Sequence, residues 1–531
     1  MFYLIPTWSN DTLDLGYDAI LNQLQMLISE EKPVTLLTTT FLPNLSLQLN
    51  QFGLLTCPYW QALDEIQGIQ ITVGKPLALE DLPLNPDWER VYMPGGVSLY
   101  AGDQLMATVK MFANLVVSHV TYYHDNQPTQ INSYDSRGFL TRRTQIADHQ
   151  TTELFNAWGE IVLTIDDVQG EQVQIAKAAQ SRFSKSTYPT LAAVVAEVTT
   201  QFLNDCALNQ PVALIAPLNH DILPLTTQLQ KSWPLRYLWD REPLRNLEQF
   251  PQILQNPIPM ALPSRQAEQQ LTLFTQQRHA PLPPTKLISP FASSLALGDS
   301  NSLEQQLIFW HVTNMPATRL QELTRTIIHE VLTATDVGLV VNVTNDQLVQ
   351  ATQTVINQEI QQFYDIDLNS PDYLWVQRYL QARQEHKLMQ SMAEEAKIRS
   401  QAKQWPKLIK VAGVSARIQI NRNTTIAFYK KQLQQARILV DLAAEPNVYL
   451  QVQAVSAGIP QINTAESQFV EHQKNGYLIT RDSQLTAALD YFLKSLNHWN
   501  EALVANVDKI QQFSSEALVE QMTADLQKES H

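Results

Sequence analysis

The sequence predicts an α/β protein of two alternating units, the first interrupted by an inserted antiparallel sheet. Short apolar runs alternate with segments of helical spacing over residues 1–40 and again beyond residue 300, the order that builds parallel sheets. Between residues 45 and 185 the texture changes to short β-rich runs separated by turn residues. Pro281-Leu282-Pro283-Pro284 has the stiffness of a linker between lobes. The expected division is a first lobe, residues 1–45 plus 186–280; an inserted extended β-sheet domain, 46–185; a second lobe, 285–500; and a C-terminal helix, 501–531.

Each element has a local reason. Tyr3-Leu4-Ile5 reads as a short strand, Ile20, Leu24, Leu27 and Ile28 recur at helical spacing, and Val34-Thr35-Leu36-Leu37 follows Pro33 as a buried strand. In the insert, residues 116–123 and 160–165 are β-rich, and Pro94-Gly95-Gly96, Asp125-Asn126, Arg137-Gly138 and Gln169-Gly170 supply turns. Alternation resumes with a helix over 191–203 and strands at 211–217, 235–238 and 257–261. The second unit opens with a strand at 307–312, a helix carrying Leu320, Leu323, Ile327 and Val331, and a buried strand at 337–343.

Residues 373–405 contain neither Pro nor Gly and are rich in Gln, Glu, Lys and Ala, which predicts one extended, mostly solvated helix. Its interleaved Glu394, Glu395, Lys397 and Arg399 read as a wet face rather than a nucleic-acid site. Strands are expected at 408–411, 438–441 and 477–480, and an amphipathic helical stretch at 485–526 that could pack back across both lobes.

Composition excludes several function classes. The formal net charge of -15, from 52 acidic against 37 basic residues, repels phosphate backbones and anionic membranes, and no basic patch overrides it. Cys57 and Cys206 can build neither a disulfide framework nor a metal cluster, and read as reduced thiols. The opening Met1-Phe2-Tyr3-Leu4-Ile5-Pro6 lacks a basic leader. No run reaches the ~18 apolar residues of a membrane span, so a cytoplasmic protein is expected. No Gly-x-Ser-x-Gly elbow and no complete P-loop occurs, so neither a serine hydrolase nor a nucleotide triphosphatase is indicated.

The most informative stretch is residues 438–462, a strand, an acidic loop, a helix and the turn Gly458-Ile459-Pro460 before another strand, followed by Glu471 and Asn475-Gly476-Tyr477. This order resembles the donor-binding segment of retaining glycosyltransferases with two facing Rossmann-like lobes, the GT-B fold. In that family an acidic residue opens the segment, a second lies eight positions on, and Gly-x-Pro follows the helix. Glu445 takes the first acidic position, but Gln453 stands at the second. A carboxylate accepts two hydrogen bonds from the donor's ribose diol, which a neutral amide cannot. The loss of one charged hydrogen bond costs a few kcal/mol, about ten- to several-hundred-fold in affinity. Such enzymes also place an Arg and a Lys early in the second lobe to neutralise the departing diphosphate. Residues 289–300 contain neither, and Arg319, Arg325, Lys410 and Arg417 are weaker candidates for that role. The Gly-poor loop Trp8-Ser9-Asn10-Asp11 lacks glycines that would admit a pyrophosphate.

Within the insert, the run Tyr134-Asp135-Ser136-Arg137-Gly138-Phe139-Leu140 resembles a Tyr-Asp-x-Arg-Gly-Phe-Leu run in the extended β-sheet domain of the glycosyltransferases that modify serine-rich-repeat adhesins. With the start Phe2-Tyr3-Leu4-Ile5-Pro6-Thr7-Trp8, nearly the whole length is similar to the glycosyltransferase-like first member of the three accessory Sec proteins of Gram-positive bacteria. That resemblance implies a non-catalytic subunit with no cofactor and no metal, recruited to the membrane through partners. The implied partners are two sister accessory Sec proteins, the accessory Sec ATPase and the glycosylated serine-rich-repeat preprotein, with carbohydrate as a further ligand and no nucleic acid. Glu445, Asn447, Gln453 and Gly458 would form a vestigial donor site or a carbohydrate-binding site. An active glycosyltransferase retaining Glu445 as donor ligand, and a simple adaptor without sugar affinity, are the alternative readings.

Outside that segment, His119, His124 beside Asp125, and His220-Asp221 in the loop after the strand ending at Pro217 are possible bases, each more simply read as structural. Sugars stack their C–H faces on aromatic rings, which brings in Tyr59-Trp60, Trp88, Trp158, Trp233 and Trp239, although core packing explains each singly.

Overall fold

The computed structural model describes residues 1–9, 17–112, 116–146, 149–167, 170–239, 247–250, 259–313 and 315–526. The chain forms two compact units, one of Met1–Ala261, Thr275–Lys286 and Val519–His531, the other of Leu262–Phe274 and Leu287–Leu518. Asn10, Asp11, Gln169 and residues 257–258 and 527–531, all named above, lie outside the described residues.

Apolar runs too short to be helices become the parallel strands. A seven-stranded sheet runs Thr285–Leu287, Met260–Leu262, Leu235–Leu238, Ala213–Pro217, Phe2–Leu4, Val34–Thr38, Tyr59–Gln61. Its central strands pair in parallel, with Tyr3 opposite both Leu214 and Thr35. Leu4, Leu36, Leu37 and Leu214 are fully buried, as expected for strands covered on both faces.

The ten-stranded sheet between Glu89 and Tyr188 is antiparallel and runs in unbroken sequential order. One part of its core packs Leu154, Val162 and Leu163 against Ala62, Ile66, Val194 and Val198. Another gathers Val97, Leu99, Val109, Val117 and Tyr134. The motif Asp135-Ser136-Arg137-Gly138 is architectural. Arg137 reaches both oxygens of Asp135 at 2.7 Å, both oxygens of Asp64 at 2.8 Å and the Ile71 carbonyl at 3.0 Å. Burial opposes its charge, but those carboxylates outweigh burial and push its pKa up. Gly138 has φ +99°, and a Cβ there would lie 2.1 Å from the Lys75 carbonyl oxygen, so only glycine fits.

The second unit carries a six-stranded parallel sheet ordered Ile418–Asn421, Val337–Val343, Gln306–Val312, Ala436–Asp441, Gln461–Asn463, Gly476–Leu478. Ile308, Trp310, Val341 and Val440 face a core shared with Leu323, Ile327, Val411 and Phe492. Two expectations are corrected here. The single helix over 373–405 is instead Pro371–Gln384 and Gln390–Arg399, and a third helix starts at Trp405. The first break falls where His386 adopts φ +57°, a left-handed conformation that histidine tolerates without a glycine to announce it. Most of this region is solvated, as expected, and its buried positions are Tyr373, Trp375, Val376 and Ala396. Residues 408–411 are not a strand but the middle of helix Trp405–Ala416, which Pro406 opens in its first turn; Leu408, Val411 and Ala412 form its buried stripe. The strand follows at Ile418–Asn421. The stretch 485–526 forms three helices, Leu485–Leu493, Leu496–Gln512 and Ser515–Leu526.

Candidate functional site

The segment that suggests donor binding folds as strand Ala436–Asp441, a loop, helix Val448–Ala457, and strand Gln461–Asn463. Asn447 caps the helix, its side-chain oxygen accepting from the Leu450 amide at 3.2 Å. Asp441 ends the strand fully buried and accepts from the backbone N–H groups of Asn447 at 2.8 Å and Ala443 at 3.2 Å. Burial pushes the Asp441 carboxyl up, opposed by His311 and by those two amides. The loop is closed on its other side by Thr464, which donates to the Ala443 carbonyl at 3.0 Å. Its conformation is therefore fixed by the protein's own groups.

The structure places the four sequence-predicted residues along this segment with different roles. Glu445 is exposed and accepts from the Gln270 amide at 3.2 Å, while Gln266 donates to the neighbouring Ala444 carbonyl at 2.7 Å. Asn447 is spent as a helix cap. Gln453 lies half-buried within the helix. Gly458 ends it at φ +73°, where a Cβ would meet Leu503 Cδ1 at 2.4 Å and Leu297 Cδ2 at 2.9 Å. Gly476 is equally enforced by packing, since a Cβ would come within 2.6 Å of the Gln461 carbonyl oxygen. These two glycines answer to the fold before any ligand.

The four cations that the sequence offers for a diphosphate all have partners within the protein. Arg319 reaches the end of the central strand, donating to the Leu442 carbonyl at 3.1 Å, but forms a two-pronged pair with Asp482 at 2.8 Å on each side. That pairing pushes Arg319 up and Asp482 down. Glu471 is clasped by Lys474 at 2.7 Å and Lys509 at 2.6 Å, whose hydrogen bonds hold its carboxyl at about 2. Arg325 pairs with Glu359 at 3.1 Å, Lys410 lies over the Tyr364 ring, and Arg417 donates to the carbonyls of Val331, Ala334 and Val337. In the stretch 289–300, the backbone amides of Ala296 and Gly298 donate to the Ser456 and Ala457 carbonyls at 3.2 and 3.0 Å. The amide of Ser294 is likewise taken, by the Ser456 hydroxyl at 3.1 Å.

A feature missed by sequence reasoning lies beneath the loop. Parallel register brings Asn421, Asn342, His311, Asp441 and Asn463 into one row across five strands. His311 Nδ1 lies 3.2 Å from the Asn342 side-chain oxygen, which also accepts from the Tyr429 hydroxyl at 3.1 Å. That oxygen can only accept, so His311 carries its proton on Nδ1. Burial pushes the His311 imidazole down, against the pull of Asp441 and Asn342. The only signal in the sequence is a polar residue near the end of each apolar run, as in Trp310-His311-Val312 and Val440-Asp441-Leu442.

Among the described residues no group of three or more His, Cys, Asp or Glu could hold a metal ion. His220 stacks on Phe250 at 4.3 Å, and His124 and Asp125 form a surface pair at 3.5 Å with both side chains 80% exposed. Trp60 stacks on Phe202, Trp233 and Trp239 are buried, and Trp88 packs against the sheet core. Trp158, 83% exposed, is the one of these tryptophans presented to solvent, on a turn held by Asn156. No helix among the described residues is long and apolar enough to cross a membrane.

Parallel sheets, an inserted antiparallel sheet and a donor-type strand-loop-helix place the chain in the GT-B glycosyltransferase-like class. The solved pneumococcal O-GlcNAc transferase GtfA, in complex with UDP and GlcNAc, shares that fold at TM-score 0.64 and 10% identity, with 99% of each chain covered. The family model described as accessory Sec system protein ASP1 matches residues 1–529, and the chain belongs to that family. The Streptococcus gordonii accessory Sec system protein of that name is 25% identical over 96% of this chain and 96% of its own length. A crystal structure of accessory secretory protein 1, 2 and 3 in Streptococcus pneumoniae contains a chain alike at TM-score 0.72 and 20% identity, covering 100% of this chain and 99% of that one.

Proposed function

We propose that this chain is a non-catalytic, glycosyltransferase-like subunit of the accessory Sec export system. It binds glycosylated serine-rich-repeat preprotein and assembles with two sister accessory Sec proteins and the export ATPase, which supplies the energy. One observation supports the reading: of the groups that the resembled family uses on its donor, Glu445 is present, but the second carboxylate is not, nor is a free cation among the four candidates. Gln453 stands where the second carboxylate belongs, and Arg319 is neutralised by Asp482. Co-crystallisation of the pneumococcal relative with accessory secretory proteins 2 and 3 supports the assembly. Glu445, Asn447, Gln453 and Gly458 form a vestigial donor site in this reading, with carbohydrate as its remaining ligand. The chain acts on the cytoplasmic side and reaches the membrane through its partners.

Binding to matched preproteins tests this directly. Immobilised chain, with the sister proteins present, should retain glycosylated preprotein better than its bare counterpart. Equal retention of both would remove glycan recognition and leave an adaptor.

A further inference from the structure

The ten-stranded sheet ends on strand Glu89–Met93, which pairs with Gly96–Ala101 and with no other strand among the described residues. All five of its residues are exposed, including Val91 at 43%, Tyr92 at 69% and Met93 at 51%. Edge strands are ordinarily blunted by lysine, proline, a bulge or a covering loop, because their unpaired backbone groups template association. This strand runs in unbroken register from Glu89 opposite Tyr100 to Met93 opposite Gly96, and its charges are confined to Glu89 and Arg90, the latter paired with Glu80 at 3.6 Å.

The outward groups follow from the hairpin. Its two-residue turn, Pro94-Gly95, closes on Met93 and Gly96, the pair that exchanges hydrogen bonds in such a turn. Strict alternation then points the N–H and C=O of Val91 inward and those of Arg90 and Tyr92 to the open edge.

We propose that a second copy of this chain pairs antiparallel with this edge, with Val91 on the two-fold axis. Arg90 then lies opposite Tyr92 of the second copy, and the two outward sets of backbone groups meet in four hydrogen bonds. On one face each guanidinium sits beside a tyrosine ring; on the other, valine meets valine across the axis, flanked by glutamate opposite methionine. No like charges oppose. A register centred on Arg90 would place arginine against arginine, and a slip of one residue would set outward groups against inward ones. A register centred on Tyr92 would set Arg90 opposite Pro94, which has no N–H to give, so the register centred on Val91 is the one that pairs both outward residues without opposing like charges, as an isologous interface requires. Five residues a side fall short of the roughly 1,200 Å² buried in stable complexes, so the pairing depends on concentration.

The test exploits the axis. Sedimentation of the full chain over a wide concentration range should show a reversible monomer–dimer equilibrium. Val91→Lys and Val91→Glu each set like charges opposite one another and weaken dimerisation about tenfold or more. An equimolar mixture of the two variants, with lysine now facing glutamate, restores it. Val91 is exposed, and circular dichroism melts matching wild type confirm that both variants fold. A wild-type chain monomeric throughout, unaffected dimers of either variant, or a mixture that fails to re-associate would each overturn the proposal. So would a monomeric chain whose Val91→Lys variant loses capture of a sister protein, which would give the edge to another polypeptide.

Discussion

Replacing Arg137 with alanine tests how the inserted sheet is held. The guanidinium is 9% exposed and makes five hydrogen bonds, four of them to Asp64 and Asp135, whose side chains are 21% and 3% exposed. Removing it leaves the buried Asp135 and half-buried Asp64 carboxylates without their cation. Breaking a buried pair in this way costs about 3–5 kcal/mol, far more than deletion of a surface salt bridge. The pH dependence has a definite sign. Burial already raises the Asp64 pKa, and without Arg137 that effect is less opposed. The penalty should therefore be greatest at neutral pH and shrink as pH falls and the orphaned Asp64 carboxyl takes up a proton. Urea unfolding of wild type and variant, followed by hydrogen exchange in strands Gln127–Tyr134 and Leu140–Ile146, measures both effects. Adding Asp64→Asn and Asp135→Asn to the variant should recover much of the loss. A penalty below about 1 kcal/mol, or one independent of pH, would refute the reasoning.

Three further outcomes are expected. Gly458→Ala should destabilise the second unit by about 2–4 kcal/mol in urea unfolding, because a left-handed backbone and the contact with Leu503 are penalised together. His311, whose folded pKa burial depresses, contributes stability that is full above its unfolded value of about 6.5 and is lost as pH falls below it. His311→Gln should flatten the stability profile between neutral and mildly acid pH, read from melting temperatures. Asp482→Asn, which releases Arg319 from its carboxylate, should strengthen whatever weak pyrophosphate binding the chain has by about tenfold in calorimetric titration.

The buried parallel strands were the most legible part of the chain. Residues 337–343 and 235–238 match the strands Val337–Val343 and Leu235–Leu238 because strands covered on both faces read as apolar runs. Local pattern fails where two periods share one composition. The run Leu408-Ile409-Lys410-Val411 fits a strand by itself, and only Pro406 and the helical stripe reaching Val414 reveal a helix. The break at His386 carries no glycine or proline and leaves no mark.

Site geometry was less accessible than the segment that carries it. The strand-loop-helix around Glu445 is visible from its Gly-x-Pro turn, but the partner of Glu445, Gln270, is 175 positions away. The partner of Arg319, Asp482, is 163 positions away, so the neutralisation of that cation depends on tertiary structure. The polar row from Asn421 to Asn463 exists only once strand register is set.

Titration of the purified chain with UDP and with UDP-GlcNAc by calorimetry, coupled to a donor-hydrolysis assay, bears most directly on the proposal that donor chemistry is lost. The account predicts no turnover and at most weak heat. Micromolar donor binding with hydrolysis, both abolished by Glu445→Ala, would contradict it and make the chain an active glycosyltransferase.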